Sequence, residues 1–263
     1  MTKNSINAGL SVVIPVYNEA RHLFDNVCRF IQVLDSLVGR DRWEIQLVNN
    51  GSTDDSANII NRLSVRFPSI SETYLSSPNY GLAIRHGIQN AKHTYVYVVD
   101  LDQWDDAFIR WSWCYRNSYD LIISSKRADP SINRQSRIRF VLSWGLNALL
   151  QLLFSFPGSD THGQKLLNSE VLSQILEDTR ADRGQYDVEL VIRTIRAGKR
   201  VIELPVPYIE MRPSRNTLFR KILWNMWALS KLAWRLRSVE CYSVELRRIS
   251  RSDVEQARGF VDN

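Results

Sequence analysis

Short strand-like runs alternate with helix-forming segments through the first half of the chain, and this alternation constrains the fold more than any other feature. The runs are Leu10–Ile14, Trp43–Val48, Ser71–Leu75, Tyr95–Val99 and Asp120–Ser124. Most are rich in β-branched and aromatic residues, and all are too short for a typical helix. Strands that alternate with helices predict an α/β fold with a doubly wound, mainly parallel sheet.

Polar residues follow four of the strand-like runs. These clusters are Pro15–Glu19, Asn49–Asp54, Asp100–Asp102 and Ser124–Arg127. Because ligands of open parallel sheets bind outside the carboxyl ends of the strands, we expect the four clusters to line one crevice. The sequence has no P-loop and no G-x-G-x-x-G fingerprint, so phosphates bound there would need a metal ion and basic side chains.

Asp100 and Asp102 lie one residue apart, directly after the run Tyr95–Val99. Carboxylates are hard oxygen ligands, and beside a water-filled crevice they suit Mg²⁺ or Mn²⁺ held jointly with a substrate phosphate. An isolated Asp-x-Asp also fits a turn or a helix cap, so the pair alone leaves both interpretations open.

The segments around these clusters resemble the motifs of family 2 glycosyltransferases, which have the GT-A fold. Val13–Glu19 resembles V-I-P-x-Y-N-E, Val48–Asp54 resembles V-D-D-G-S-T-D, Asn79–Ala83 resembles N-x-G-x-A, and Asp100–Asp102 resembles the DxD motif. The resemblance covers residues 10–127 and implies a Rossmann-like sheet, a UDP- or GDP-hexose donor and a Mg²⁺ or Mn²⁺ cofactor. It implies that the donor binds to Pro15, Tyr17, Glu19, Asn50, Gly81, Asp100, Leu101 and Asp102, and the metal to Asp100 and Asp102.

Two segments depart from the family pattern, at Asn49–Asn50 and at Gln103. Asn49 and Asn50 stand where the family has two aspartates, the second of which accepts a hydrogen bond from the imide N–H of the base. The carbonyl oxygen of Asn50 can accept the same bond without charge assistance. Gln103 lies one residue out of register with a further metal ligand of the family. A nucleotide-sugar-binding module without turnover therefore stays open as an alternative.

The second half resembles the branch of this family that makes polyprenyl-phosphate hexoses such as dolichyl-phosphate mannose and glucose. The matching segments are Asp160–Gln164, Gly184–Leu190, Arg200–Val206 and Arg212–Thr217. The resemblance implies that an acceptor phosphate, already an anion near neutral pH, is positioned by basic and hydroxyl side chains. An acceptor hydroxyl would instead need a carboxylate base, for which Asp160 is the candidate. The candidate catalytic residues are Asp102, Lys126, Arg139, Ser143, Asp160 and Arg212.

Two long segments of the second half predict amphipathic helices, Ile138–Phe156 and Leu218–Leu236. On the second, basic residues and tryptophans share one side (Arg220, Trp224, Trp227, Lys231, Trp234 and Arg235), and apolar residues share the other (Ile222, Met226, Leu229, Leu232, Ala233 and Leu236). This mixture is typical of a helix in an anionic lipid interface. A solvated basic face with tryptophans packed on the domain is the alternative. We see no recognised nucleic-acid-binding module and expect no nucleic-acid partner.

Composition is compatible with this interpretation. The 263 residues carry a net charge of +6, which favours an anionic partner. Three widely separated cysteines form no CxxC motif, so we expect a reducing compartment. The start has no apolar signal segment, and no apolar run reaches the ~20 residues of a membrane-spanning helix.

We therefore expect a metal-dependent, inverting glycosyltransferase. It would move a hexose from a nucleoside diphosphate sugar to polyprenyl (dolichyl or undecaprenyl) phosphate, in cell envelope glycan biosynthesis. The expected location is the cytoplasm, peripherally on the inner membrane face. Transfer to a saccharide or glycolipid hydroxyl is the alternative. The expected domains are 1–215, with a nucleotide-binding half at 10–127 and an acceptor half at 128–215, and a segment 216–263 made of an interfacial helix and a polar tail.

Overall fold

The structure is a computed structural model, and it describes residues 8–101, 104–128, 133–134, 137–182, 184–209, 218–239 and 246–248. Its strands are β1 (Leu10–Val16), β2 (Trp43–Asn50), β3 (Ile70–Leu75), β4 (Tyr95–Val98), β5 (Leu121–Ser125), β6 (Asn133–Arg134), β7 (Lys165–Asn168), β8 (Val201–Pro205), β9 (Tyr208–Ile209) and β10 (Arg247–Arg248). Its helices are α1 (Leu23–Leu37), α2 (Ser56–Arg66), α3 (Tyr80–Gln89), α4 (Asp106–Tyr115), α5 (Arg137–Phe154), α6 (Ser173–Asp178), α7 (Gln185–Arg196) and α8 (Leu218–Leu236).

Eight strands form one sheet in the order β10-β8-β5-β7-β4-β1-β2-β3, and β6 and β9 form a separate parallel pair. Strand β1 lies between β2 and β4 and is parallel to both, with Leu10 opposite Trp43 on one side and Tyr95 on the other. Among the described strands of the large sheet, only β7 is antiparallel to its neighbours. The predicted doubly wound, mainly parallel α/β sheet is confirmed.

Alternate side chains of the central strands feed two hydrophobic layers, as the two-residue period of a strand requires. Val12 of β1 packs in the layer that includes Phe30 of α1 and Phe108 of α4. Its neighbour Val13 packs in the opposite layer with Val191 of α7. Helices on both faces leave the carboxyl ends of the strands as the accessible edge where polar residues can gather.

Strand β7 was not predicted from the sequence. It has only four residues and lies antiparallel between β4 and β5, with Val98 opposite Lys165. Because β7 runs against its neighbours, its first residue lies at the edge where β4 and β5 end. The segment Asp160–Gln164 therefore reaches the same edge as the clusters that follow β1, β2, β4 and β5.

Three boundaries that the sequence pattern predicts need correction. A helix is expected from Ala20, whereas α1 begins at Leu23. Ser52, Thr53 or Asp54 is expected as the N-cap of the next helix, whereas the N-cap of α2 is Asp55, and Asp54 Oδ1 accepts from the N–H of Ser56 in its first turn. A strand is expected at Arg200–Val206, and β8 spans Val201–Pro205 with the proline at its end.

Helix α8 has the predicted bounds, and its two sides differ in exposure. Leu229, Leu232 and Leu236 are buried in the layer that contains α7. Trp227 and Trp234 are 62% and 65% exposed, so these two tryptophans do not pack on the domain. Met226, which the sequence pattern places on the apolar side, is 47% exposed.

Helix α5 combines buried and exposed apolar residues. Leu150 and Phe154 pack in the same layer as α8. Trp144 and Leu152 are 60% and 80% exposed. The apolar residues of α5 therefore divide between the core and the surface. Across the described ranges, the structure contains no helix with the length and apolar character needed to cross a membrane.

Candidate active site

Two loops on the donor side of the edge are bonded to each other. In the loop after β1, the N–H of Asn18 donates to Ser52 Oγ at 3.1 Å, and its side-chain oxygen accepts from the N–H of Thr53 at 2.8 Å. Asn18 has a left-handed backbone with φ of 55°, which asparagine tolerates better than most residues. The bonds hold the turn that presents Tyr17, whose ring is 47% exposed.

Asp54 fixes the next part of the same loop. Its Oδ2 accepts from the N–H of Ala20 at 3.0 Å, and its Oδ1 accepts from the N–H of Ser56 at 3.0 Å. Burial raises the pKa of Asp54, but these hydrogen bonds outweigh burial, so the pKa lies below its ordinary value. Glu19 donates its N–H to Ser56 Oγ, and Pro15 is buried within β1. The predicted donor residues Pro15, Tyr17 and Glu19 therefore lie on one braced segment.

Asn50 is the last residue of β2, and its carbonyl oxygen already has a partner in the protein. Asn50 Oδ1 accepts from the backbone N–H of Asn79 at 2.6 Å. An N–H can only donate, so this contact fixes which end of the amide is oxygen. The amide nitrogen of Asn50 has no hydrogen-bond partner among the described residues. It is also not one of the fully buried polar atoms that lack a partner. Asn50 thus has an unpartnered N–H₂ donor, in addition to the second lone pair of the carbonyl oxygen that the sequence suggested.

The N-terminus of α3 lies beside Asn50. Asn79 caps this helix, since its side chain accepts from the N–H of Leu82 at 3.1 Å, and its amide donates to Asp182 at 2.9 Å. Gly81 is buried in the first turn. The predicted donor residues Asn50 and Gly81 are therefore brought together.

Asp100 and Leu101 follow β4 at the same edge. Asp100 is half-buried, whereas Leu101 is buried in the core and its carbonyl accepts from Asn26 Nδ2 at 3.5 Å. Asp102 and Gln103 lie outside the described residues. Within the described ranges, no three histidine, cysteine or acidic side chains form a group that could hold a metal. Asp100 supplies one hard oxygen donor at the position where the sequence predicts the ion.

Gln164 joins the segment after β4 to β5. Its Oε1 accepts from the hydroxyl of Tyr97 and from the N–H of Asp105 at 3.1 Å, and its carbonyl accepts from the N–H of Ser124 at 2.9 Å. Burial raises the pKa of Tyr97 well above its ordinary value, so the phenol stays a donor. No local sequence pattern indicates this role.

The turn before Gln164 lies against the end of β5. Gly163 has φ of +134°, and a Cβ at this position would lie 2.6 Å from Ser124 Oγ. Both the backbone conformation and the close approach therefore require glycine.

Lys126 and Asp160, predicted as catalytic residues from separate segments, lie close together. Lys126 Nζ is 4.0 Å from Asp160 Oδ2. Asp160 is buried, and its Oδ1 accepts from the N–H of His162 at 3.0 Å. Its Oδ2 has no hydrogen-bond partner among the described residues. The site therefore contains a half-buried cation beside a buried carboxylate oxygen whose lone pairs are not used by a hydrogen bond from the described residues.

A buried ion pair holds β7 and the turn at Gly163 against α7. Lys165 Nζ lies 2.9 Å from Asp187 Oδ1 of α7, and both side chains are almost completely buried. Lys165 also donates to the carbonyl of Gly163 at 2.8 Å. Breaking such a pair on one side leaves an uncompensated charge, so β7, α7 and the turn are held as a unit.

The remaining predicted residues are less fully described. Arg139 and Ser143 belong to the first turns of α5. Arg212 lies outside the described residues, as does Asp102.

Residues 11–107 match the sequence profile described as Glycosyl transferase family 2. This region is a family 2 glycosyltransferase domain. The predicted family and the enzyme class, glycosyltransferase, are therefore confirmed.

Curated relatives extend the similarity beyond this region. A dolichyl-phosphate beta-glucosyltransferase of Trichomonas vaginalis is 27% identical over 219 residues, which are 78% of this chain and 67% of the relative. Glycosyltransferase AglD of Haloferax volcanii is 26% identical over 233 residues, covering 86% of this chain. The chain spans only 37% of that protein. An undecaprenyl-phosphate 4-deoxy-4-formamido-L-arabinose transferase of Edwardsiella ictaluri is 40% identical over 95 residues, 35% of this chain and 29% of the relative.

Solved structures show the same fold. Glucosyl-3-phosphoglycerate synthase of Mycobacterium tuberculosis with bound UDP has a TM-score of 0.64 at 15% identity, over 94% of this chain and 93% of that one. The mannosyltransferase PcManGT of Pyrobaculum calidifontis, in complex with GDP-Man and Mn²⁺, has a TM-score of 0.63 at 19% identity, over 90% of this chain and 66% of that one. The predicted GT-A fold is confirmed.

Proposed function

We propose that the chain transfers a hexose from a nucleoside diphosphate sugar to a polyprenyl phosphate. The observation that carries the proposal is the pairing of Lys126 with Asp160 at 4.0 Å, beside the ends of the strands that lead to the predicted donor residues. A cation at this place can hold an anionic acceptor next to the donor and offset its repulsion from the donor diphosphate. The relative named for transfer to dolichyl phosphate matches 78% of this chain, well past residue 107.

The donor would bind across the loops after β1 and β2 and the N-terminus of α3. Tyr17 and Asn50 would contact the base, with the Asn50 amide presenting its N–H₂ group. Asp100 and Asp102 would hold Mg²⁺ or Mn²⁺, and a bound divalent ion would stabilise the charge that develops on the departing diphosphate. The Mn²⁺ in the PcManGT complex supports a divalent ion, and carboxylate oxygens suit either metal.

The acceptor side would use Lys126, with Arg139, Ser143 and Arg212 as further candidates. A phosphate monoester is already ionised at neutral pH and can attack without a strong base. In this reaction Asp160 would orient Lys126 rather than remove a proton.

The test is transfer from a panel of nucleoside diphosphate hexoses to undecaprenyl phosphate or dolichyl phosphate in detergent, with Mn²⁺ or Mg²⁺. The expected result is a sugar-linked polyprenyl phosphate, detected by mass spectrometry. A panel that yields donor hydrolysis or no product with either lipid contradicts the proposal. Donor binding without any product would favour a binding module without turnover.

A hydroxyl acceptor is the second candidate, and one observation favours it. The Oδ2 of Asp160 is buried and has no hydrogen-bond partner among the described residues, so it keeps the lone pairs that a general base needs. Asp160→Asn separates the two reactions. We expect the variant to retain most transfer to polyprenyl phosphate, whereas transfer to a sugar hydroxyl would fall about 100-fold or more.

Helices α5 and α8 would place the enzyme on a membrane. Trp144 and Leu152 of α5 and Trp227 and Trp234 of α8 are exposed, and the exposed Lys231 lies 5.4 Å from the ring of Trp227. Tryptophan with nearby cations suits the boundary between anionic headgroups and acyl chains. We propose peripheral attachment at the cytoplasmic face, where the polyprenyl phosphate would be reached.

A further inference from the structure

Glu203 of β8 is a fully buried carboxylate that accepts hydrogen bonds from the segment carrying Asp160. Its Oε1 accepts from the N–H of Ser159 at 2.7 Å and from the N–H of Asp160 at 3.2 Å, and its Oε2 accepts from the Ser159 hydroxyl at 2.6 Å. Breaking any of these bonds would leave a buried polar group unpaired, so the donors are held firmly. Glu203 therefore fixes the backbone at Asp160.

Ser159 links the same carboxylate to the loop that carries Lys126. Ser125 Oγ, in the last residue of β5, lies 2.7 Å from Ser159 Oγ and accepts from the N–H groups of residues 127–128. With both lone pairs of Ser125 used, its proton must go to Ser159, and the Ser159 proton then goes to Glu203. The chain of hydroxyls therefore runs in one direction, from Ser125 through Ser159 to Oε2 of Glu203.

The chain passes directly over this carboxylate at Gly158. A Cβ on Gly158 would lie 2.6 Å from Glu203 Oε1, so glycine allows the segment to approach closely enough for its hydrogen bonds. Glu203 is thus joined to both loops, one carrying Lys126 and the other Asp160, although it reaches no solvent itself.

We propose that Glu203 is a positioning residue that sets the separation of Lys126 and Asp160, and through them the placement of the acceptor. The inference rests on the proposed function, in which Lys126 holds the acceptor. Because a misplacement of 1 Å can reduce the rate about 100-fold, a clamp on the two loops controls turnover without touching the substrate. Donor binding, which uses the loops after β1 and β2, should be independent of it.

The informative substitution is Glu203→Gln, which keeps the shape and one oxygen acceptor. The glutamine N–H₂ would face Ser159 Oγ, which already accepts from Ser125, and the Ser159 proton would lose its acceptor. Ser159→Ala is the second variant, since it separates the Lys126 loop from Glu203 while leaving the bond from the Asp160 N–H.

Glu44 provides a matched control at the opposite end of the sheet. It is also buried and accepts from Ser11 Oγ at 2.7 Å, from Gln46 Nε2 at 3.0 Å and from the N–H of Lys92, whose ammonium lies 3.4 Å from Glu44 Oε2. Glu44→Gln therefore perturbs a buried carboxylate with three hydrogen-bond donors and one exposed ion-pair partner, but at the amino ends of the strands. This control variant measures how much stability such a substitution costs when no loop of the crevice is involved.

Transfer from the preferred nucleoside diphosphate hexose to undecaprenyl phosphate would be measured for the wild type and the three variants, with melting temperature and donor Kd. We expect kcat of Glu203→Gln and Ser159→Ala to fall about tenfold or more, with the donor Kd within about twofold of the wild type. Glu44→Gln should lose comparable stability and keep its kcat. Wild-type kcat in Glu203→Gln, or an equal loss in Glu44→Gln, would overturn the proposal.

Hydrogen exchange separates a failure of this inference from a failure of the proposed function. If the wild type transfers no sugar to a polyprenyl phosphate, the proposed function fails, but the clamp can still be measured. Glu203→Gln is then expected to speed amide exchange in segments 125–128 and 158–163, whereas Glu44→Gln is not. Unchanged exchange in both segments would refute the clamp whatever the activity.

Discussion

Replacing Asn50 by aspartate exchanges a single N–H₂ group for an oxygen, and the structure indicates which ligand atom would sense it. Asn50 Oδ1 is held by the N–H of Asn79 at 2.6 Å, and this bond survives the substitution. The second atom of the side chain changes from a donor to an acceptor. Uracil and guanine present an imide N–H, whereas cytosine presents a bare ring nitrogen. Asn50→Asp should therefore favour uridine and guanosine nucleotides over cytidine nucleotides.

The magnitude follows from one charge-assisted hydrogen bond. Such bonds contribute about 1.5–3 kcal/mol, and the new carboxylate at this buried position loses hydration and repels the diphosphate, so the lower end applies. A gain of about 1.4 kcal/mol corresponds to a tenfold lower Kd for UDP or GDP. For CDP the lost N–H donor should raise the Kd, so the ratio of the CDP and UDP constants should change by more than tenfold.

Isothermal titration with UDP, GDP and CDP in the presence of Mn²⁺ measures these constants directly. Asn49→Asp is the control, because it adds the same charge one residue away, where Asn49 Oδ1 accepts from the N–H of Ser52 at 2.9 Å. If the added negative charge acted only through its long-range electrostatic field, the Kd values of all three nucleotides would change by the same factor in both variants. An unchanged ratio of UDP to CDP affinity in Asn50→Asp would refute the placement of the base against Asn50.

Three further outcomes are expected. Asp102→Ala, or chelation by EDTA, should abolish transfer while the melting temperature stays near that of the wild type, and full activity in either case would refute the metal role. Trp227→Ser combined with Trp234→Ser should reduce sedimentation with liposomes of anionic lipid without changing donor affinity, and unchanged sedimentation would refute the interfacial helix. Burial raises the pKa of Asp120, but its hydrogen bonds with Arg200 outweigh burial and lower it. Its stabilisation is therefore present above about pH 4 and lost as pH falls through the lower folded pKa, so the melting temperature of Asp120→Asn should fall less on acidification.

Most strands of the sheet were predictable because they are short apolar runs between helix-forming segments, and α8 was predictable because its hydrophobic period is long and regular. Strand β7 was not, since Lys165–Asn168 has only four residues and begins with a buried lysine. The antiparallel course of β7 brings Asp160 to the edge of the sheet. Without β7, the sequence could not explain why Asp160 lies beside the other residues of the acceptor side.

The candidate site was predictable to the level of which loops meet, but not of how their atoms pair. The sequence places Asn50 at the edge, yet its oxygen is bonded to Asn79, 29 residues later. Glu203 belongs to a segment that matches the family, but the sequence indicated no role for it. Its hydrogen-bond donors lie on residues 43–44 positions earlier in the chain. Such pairings depend on loop–loop distances that local patterns do not encode.

The two sides of the crevice are stabilised in physically different ways, and this determines how variants should be measured. On the donor side, bonds such as the one between Asn18 and Ser52 are exposed and compete with water, so a lost bond costs little. On the acceptor side, Glu203 and the Lys165–Asp187 pair are buried. Removing one partner therefore leaves a buried charge or a buried hydrogen-bond donor without a partner. Donor-side variants should therefore change binding with little loss of stability. For acceptor-side variants, a lower rate of transfer can be interpreted only when the melting temperature of the variant is measured and a control variant of equal stability is compared.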